Sequence, residues 1–184
     1  MPERLAREAG FTLIELMVVI CIIAVLAGAG AVSLRNVGES MKLTAFSTTL
    51  LAHLHHARGE AIKRNGRVVL CKSADGNACA AAGGWEQGWI LFHDVNNNGV
   101  RDGGESLLRR GEALPEGYKV VGNQTVARYV SFSPFGGTRL TSGAFQAGTI
   151  TVCRESLQKA EARQVVITAV GRPRIKRTTV DECS

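Results

Sequence analysis

Four cations near the C-terminus stand in a pattern that suits phosphate. The run Gly171-Arg172-Pro173-Arg174-Ile175-Lys176-Arg177, continued to Val180, contains no acidic side chain. Side chains alternate along an extended chain, which puts Arg172, Arg174 and Lys176 on one face and Arg177 on the other. Same-face neighbours then lie about 6.5–7 Å apart, close to the separation of successive phosphates along a nucleic-acid strand. Each guanidinium adds a planar fork that can bond two oxygens. Pro173 suits an edge strand, where a missing N–H costs little. The alternative is an edge strand charged only to stay soluble.

A second stretch has the spacing of a calcium loop. Asp94, Asn96, Asn98, Asp102 and Glu105 occupy positions 1, 3, 5, 9 and 12, with Gly99 at the sharp-turn position 6. Strand-like sequence flanks it, where an EF-hand has helices. Asn and Gly are also what a long hairpin turn demands. Two readings therefore stand: a turn held by its own hydrogen bonds, or a loop stabilised by Ca2+. His53, His56 and Glu60 share one helical face but lack a fourth ligand, and read as solvated polar positions. No nucleophile–base–orienter set appears, so no enzyme is expected, and no cofactor beyond that possible Ca2+.

The cysteines divide in two. Cys21 falls inside an apolar run and reads as a packing residue, which leaves Cys71, Cys79, Cys153 and Cys183 as an even set. Four cysteines admit three pairings, and sequence alone does not choose. The expected pairs are Cys71–Cys79, closing a short Gly/Asn/Ala loop, and Cys153–Cys183, tying the C-terminal segment to a sheet. Both need an oxidising compartment.

These groups need a frame. Residues 11–34 form an apolar run of 24 residues with a single carboxylate, Glu15, and no proline. About 20 such residues span a bilayer as a helix. A carboxylate costs about 2.5–3.5 kcal/mol at mid-bilayer, so Glu15 needs a partner. Beyond the run, Leu43, Phe46, Leu50, Leu54, Ala57 and Ala61 step by three or four, and Asn65-Gly66 is a stop signal. One helix over about 12–64 is predicted. Short β-branched or aromatic stretches follow at 67–72, 88–94, 106–110, 118–121, 128–133, 149–153 and 163–170, separated by Gly, Asn and Pro turns. A long helix followed by strands reads as an α+β fold, with the helix on one face of an antiparallel sheet. The 184 residues leave enough chain after the apolar run for one globular domain, and the net charge of +6 favours an anionic partner.

Gly10 and the row G-F-T-L-I-E-L behind the polar leader 1–10 resemble the type IV prepilin signal. That resemblance implies cleavage by a prepilin peptidase between Gly10 and Phe11, and methylation of the new Phe11 amine. It also implies an assembly role for Glu15, whose carboxylate attracts the N-terminal amine of a neighbouring subunit. Arg4 and Arg7 precede the run while Arg35 and Lys42 follow it, so charge alone leaves the orientation open. The resemblance implies a single pass through the inner membrane, with the domain at 35–184 in the periplasm and assembly into a pilus or pseudopilus. The helix end with Ala57, Arg58, Glu60, Ala61, Ile62 and Arg64 is followed in order by Cys71, Cys79, Trp85-x-x-Gly88-Trp89, the Asp/Asn loop and Gly171-Arg-Pro-Arg. That ensemble is similar to the FimT/GspH family of minor pilins and pseudopilins, and implies a type IV pilin-like fold with other pilins as partners. Gly171-Arg172-Pro173-Arg174 resembles the DNA-contacting motif of FimT-like minor pilins. It implies non-specific DNA binding by Arg172, Arg174, Lys176 and Arg177 in DNA uptake (natural transformation), alongside pilus biogenesis. The alternative is a GspH-like pseudopilin of a type II secretion system with a purely structural role.

Overall fold

The computed structural model describes residues 11–183, and describes no side chain at 27–36. The leader call, with Gly10, lies outside the described residues. The chain falls into two compact units, Met1–Ser40 and Met41–Ser184. One helix, α1 (Leu13–Arg64), contributes to both.

In the first unit, α1 starts on a capped turn. The Glu15 N–H donates to Thr12 Oγ1 at 3.3 Å, half of a Thr-x-x-Glu capping box. Leu13, Ile14, Leu16, Met17, Val18, Val19, Ile20, Ile22, Ile23, Val25 and Leu26 are all exposed. These positions cover every side of a helix with 3.6 residues per turn. Such a helix is stable only when something apolar surrounds it. The expected span, 11–34, includes residues 27–34, whose side chains lie outside the described residues. Among the described residues no helix is long and apolar enough to cross a membrane.

In the second unit the later part of α1 is amphipathic. Leu43, Leu50, Leu54, Ala57 and Ala61 are buried in the main core, with Phe46 packed against it. The helix stops as its sequence demands. Asn65 takes φ 48°, the Gly66 N–H bonds Ala61 O at 3.2 Å, and the Asn65 N–H bonds Ile62 O at 3.2 Å. These are the two bonds of a Schellman cap.

Eight strands follow: β1 (Arg67–Lys72), β2 (Trp89–Asp94), β3 (Leu107–Gly111), β4 (Tyr118–Gly122), β5 (Tyr129–Phe132), β6 (Gly148–Arg154), β7 (Ala160–Ile167) and β8 (Arg174–Val180). They form two antiparallel sheets where one was expected. Sheet A runs β3-β2-β1-β5 and sheet B runs β4-β6-β7-β8. Both face the helix. Val68, Leu70, Leu91, Val130 and Phe132 of sheet A share the main core with Val120, Ile150, Val152, Val165 and Ile167 of sheet B. β7 ends at Ile167, short of the expected 170, because Thr168 O accepts the Gly171 N–H at 2.8 Å and turns the chain.

Sheet A is buried on both faces. Val69, Cys71, Ile90 and Phe92 form a second cluster with Cys79, Leu107 and Tyr129. Hence β1 is an almost unbroken apolar run. The Cys71–Cys79 disulfide pins one covering loop, and Cys153–Cys183 ties the residues after β8 to β6.

Candidate functional site

The basic segment lies on the edge of sheet B. Among the described residues β8 pairs only with β7, Ile175 opposite Val165 and Lys176 opposite Gln164. Ile175 packs against the main core, so Arg174 and Lys176 point to the opposite face of the sheet, and Arg177 shares the core-side face with Ile175. β8 begins at Arg174, two residues later than the extended run read from the sequence. The alternation nevertheless starts at Gly171: Gly171 and Pro173 are buried, and Arg172, Arg174 and Lys176 are exposed. The buried members anchor the turn while the cations stand in water. Gly171 cannot be replaced, because at φ 72° a Cβ would run into the carbonyl oxygen of Gly136. Among the described residues none of the four cations has an ion-pair partner.

A fifth cation stands at the same turn, one that sequence reasoning missed. Arg58 of α1 donates through Nε to Gly136 O at 3.1 Å, beside Gly171. Its signal was its place in the helix-end motif, but no periodicity says which turn it reaches.

The Asp94 loop is arranged otherwise. Asp94 is 1% exposed and accepts the N–H groups of Asn98 at 3.1 Å and Gly99 at 2.9 Å. Glu105 Oε1 accepts from the Val95 N–H at 2.8 Å and Oε2 from the Asp102 N–H at 3.0 Å. Asp102 Oδ2 accepts the side-chain amides of Asn96 at 2.7 Å and Asn98 at 2.9 Å. Every carboxylate of the pattern is engaged within the loop. Burial and then the nearby Glu105 carboxylate push the Asp94 carboxyl above its ordinary range, against the pull of the Gly99 N–H. Among the described residues no group of three or more His, Cys, Asp or Glu is placed to hold a metal ion.

One helical histidine, His53, also has structural work. Trp89 donates through Nε1 to His53 Nδ1 at 2.8 Å, locking α1 to β2. Burial first, then Arg109 and His56, hold the His53 pKa below its ordinary value. Trp85 is buried and donates to Val126 O at 3.0 Å. Both tryptophans are core residues. Phe11 is exposed, and so is Cys21, a free cysteine.

Residues 47–171 match the family model described as Type II transport protein GspH, about two thirds of the chain. The chain belongs to the GspH family. Residues 5–31 match the prokaryotic N-terminal methylation motif. The fold of this GspH-family chain is also that of the type IV minor pilin FimU of Pseudomonas aeruginosa PAO1, whose crystal structures are known in two forms. One gives a TM-score of 0.54 at 18% identity, over 77% of this chain and 100% of that one. The other gives 0.54 at 18%, over 79% and 98%. No curated protein matches the chain. The family match and the N-terminal methylation motif make it a pilin or pseudopilin, and the likeness to FimU shows the fold. The family match ends at residue 171, so Arg172, Arg174, Lys176 and Arg177 lie beyond it.

Proposed function

We propose that the chain is a type IV minor pilin that binds DNA without sequence preference through Arg172, Arg174, Lys176 and Arg177, in DNA uptake for natural transformation and in pilus biogenesis. One observation carries this reading: an edge segment presents four exposed cations with no acid in residues 171–180 and no ion-pair partner among the described residues. Phosphate neutralisation releases counterions, so contact with about three to four phosphates gives a log–log salt slope near −3 on duplex DNA. A patch of this size binds at micromolar affinity or weaker, and several copies in a fibre strengthen it by avidity. The test is binding of unrelated duplexes by the full chain in detergent across a salt series. A slope near zero, or no binding at low salt, defeats the reading.

Assembly completes the proposal. Prepilin peptidase cuts between Gly10 and Phe11, the Phe11 amine is methylated, and Glu15 meets the N-terminal amine of a neighbouring pilin. The apolar surface on every side of residues 13–26 supports this, since inner membrane or neighbouring helices would cover it. Intact mass of the membrane-extracted protein then begins at Phe11; a retained leader in cells with active peptidase defeats this part. A second reading, a structural pseudopilin of a type II secretion system, is favoured by the description of the matched family as a type II transport protein. It calls for no DNA binding at all.

A further inference from the structure

Beside the basic segment stands a ring in water. Phe135 is 94% exposed, at the tip of a turn closed by the Gly136 N–H on Ser133 O at 2.8 Å. That turn and the one that launches Arg172 are bound together. The Thr138 N–H donates to Ala169 O at 3.1 Å, the Thr138 hydroxyl lies between Gln146 O at 2.6 Å and Thr168 O at 2.9 Å, and Gly171 lies against Gly136 and Gly137. Thr168 Oγ1 in turn donates to Arg172 O at 3.3 Å. Arg58 reaches the same point through Gly136 O. The result is an exposed aromatic ring on a turn that is bonded to Arg58 and to the turn that launches Arg172 and Arg174.

We infer that this corner takes a single strand of nucleic acid, with one unpaired base stacked on Phe135 and the flanking phosphates on Arg172 and Arg174. Cations that track a phosphate backbone, together with an aromatic ring on which a base stacks, are how sequence-tolerant single-strand sites are made. A duplex keeps its bases stacked on one another, so it reaches the cations and leaves the ring unused. At 94% exposure the ring is free to stack, and a base laid on it would cover a large apolar surface. The inference rests on the reading of residues 171–177 as a phosphate contact and adds the class of nucleic acid.

The experiment measures anisotropy of three labelled probes with the full chain in detergent at one low salt concentration. The probes are a mixed-sequence single strand, the same strand with abasic sites, and a blunt duplex. Phe135→Ala should weaken the mixed-sequence strand about 5-fold or more, on the scale of base–aromatic stacking, and leave the abasic strand and the duplex unchanged. Phe135→Tyr should keep the wild-type preference. Equal losses on all three probes, or no loss on any, overturn the inference. So does a variant that binds all three normally but fails to co-assemble with other pilins, which would make the ring a fibre contact. Wild-type binding of the duplex with no added sensitivity to unpaired bases overturns this inference alone. Absence of binding to every probe overturns the phosphate contact beneath it.

Discussion

On the outer side of sheet A, Asp94, Asp102 and Glu105 are engaged by N–H groups and side-chain amides of their own loop. On the edge of sheet B, Arg172, Arg174, Lys176 and Arg177 are exposed and have no ion-pair partner among the described residues. Both stretches looked equally chemical as sequence. What separates them is whether the fold uses the polar groups. A carboxylate that caps buried N–H groups stabilises structure, because leaving those donors unpaired costs free energy. A cation held in water on a backbone anchored by buried Gly171 and Pro173 contributes little to stability and remains available to a ligand. The loop supports the sheet, and the edge faces outward.

The largest effect belongs to the Cys153–Cys183 disulfide. Replacing Cys153 and Cys183 together by Ala should cost about 3.5 kcal/mol in a denaturant melt, by the loop-entropy model for a bridge of sequence separation 30. DNA affinity should fall with it, since the bridge anchors the chain just beyond β8. Retained affinity would mean that β7 pairing alone holds the basic edge.

Next comes the loop. Asp94→Ala leaves the Gly99 N–H without its acceptor and the Asn98 N–H with Asn96 Oδ1 alone, and should cost about 1–3 kcal/mol, with DNA binding unchanged. Melts in calcium and in chelator should coincide if the carboxylates are committed to the loop. A higher melting temperature in calcium, lost in Asp94→Ala, would instead make this region a ligand site too.

The smallest effect is a pH slope. His53 has its folded-state pKa held below the ordinary value by burial, Arg109 and His56. Its contribution is therefore complete above about pH 6.5 and is lost as pH falls through the folded-state value. His53→Gln keeps an acceptor for Trp89 Nε1 and should flatten the loss of stability on acidification. An unchanged slope would assign it to other groups.

Local order was legible in the residues; long-range order was not. The helix read as 12–64 runs Leu13–Arg64, because apolar spacing and the Asn65 stop act within a few residues of themselves. Strand positions follow from short β-branched or aromatic stretches bounded by Gly, Asn and Pro for the same reason. The division into two sheets was hidden, since pairing β4 with β6 and β1 with β5 depends on partners far apart in sequence. Gln146 shows the limit. It is fully buried because Ser131, Thr125 and Tyr129 satisfy its amide, which no nearby residue announces. At the basic edge, the types and spacing of Arg172 to Arg177 were plain. Arg58 and Phe135 were not, because two turns bring them there.

On this reading the edge of sheet B binds and does not brace. Arg172→Gln with Arg174→Gln in the full chain tests it most directly, by DNA affinity across a salt series and a denaturant melt on the same preparation. The account predicts weaker binding to unrelated duplexes alike, a salt slope flatter by about 2, and an unchanged melting midpoint. Unchanged binding, or a lost midpoint with the slope intact, would contradict it.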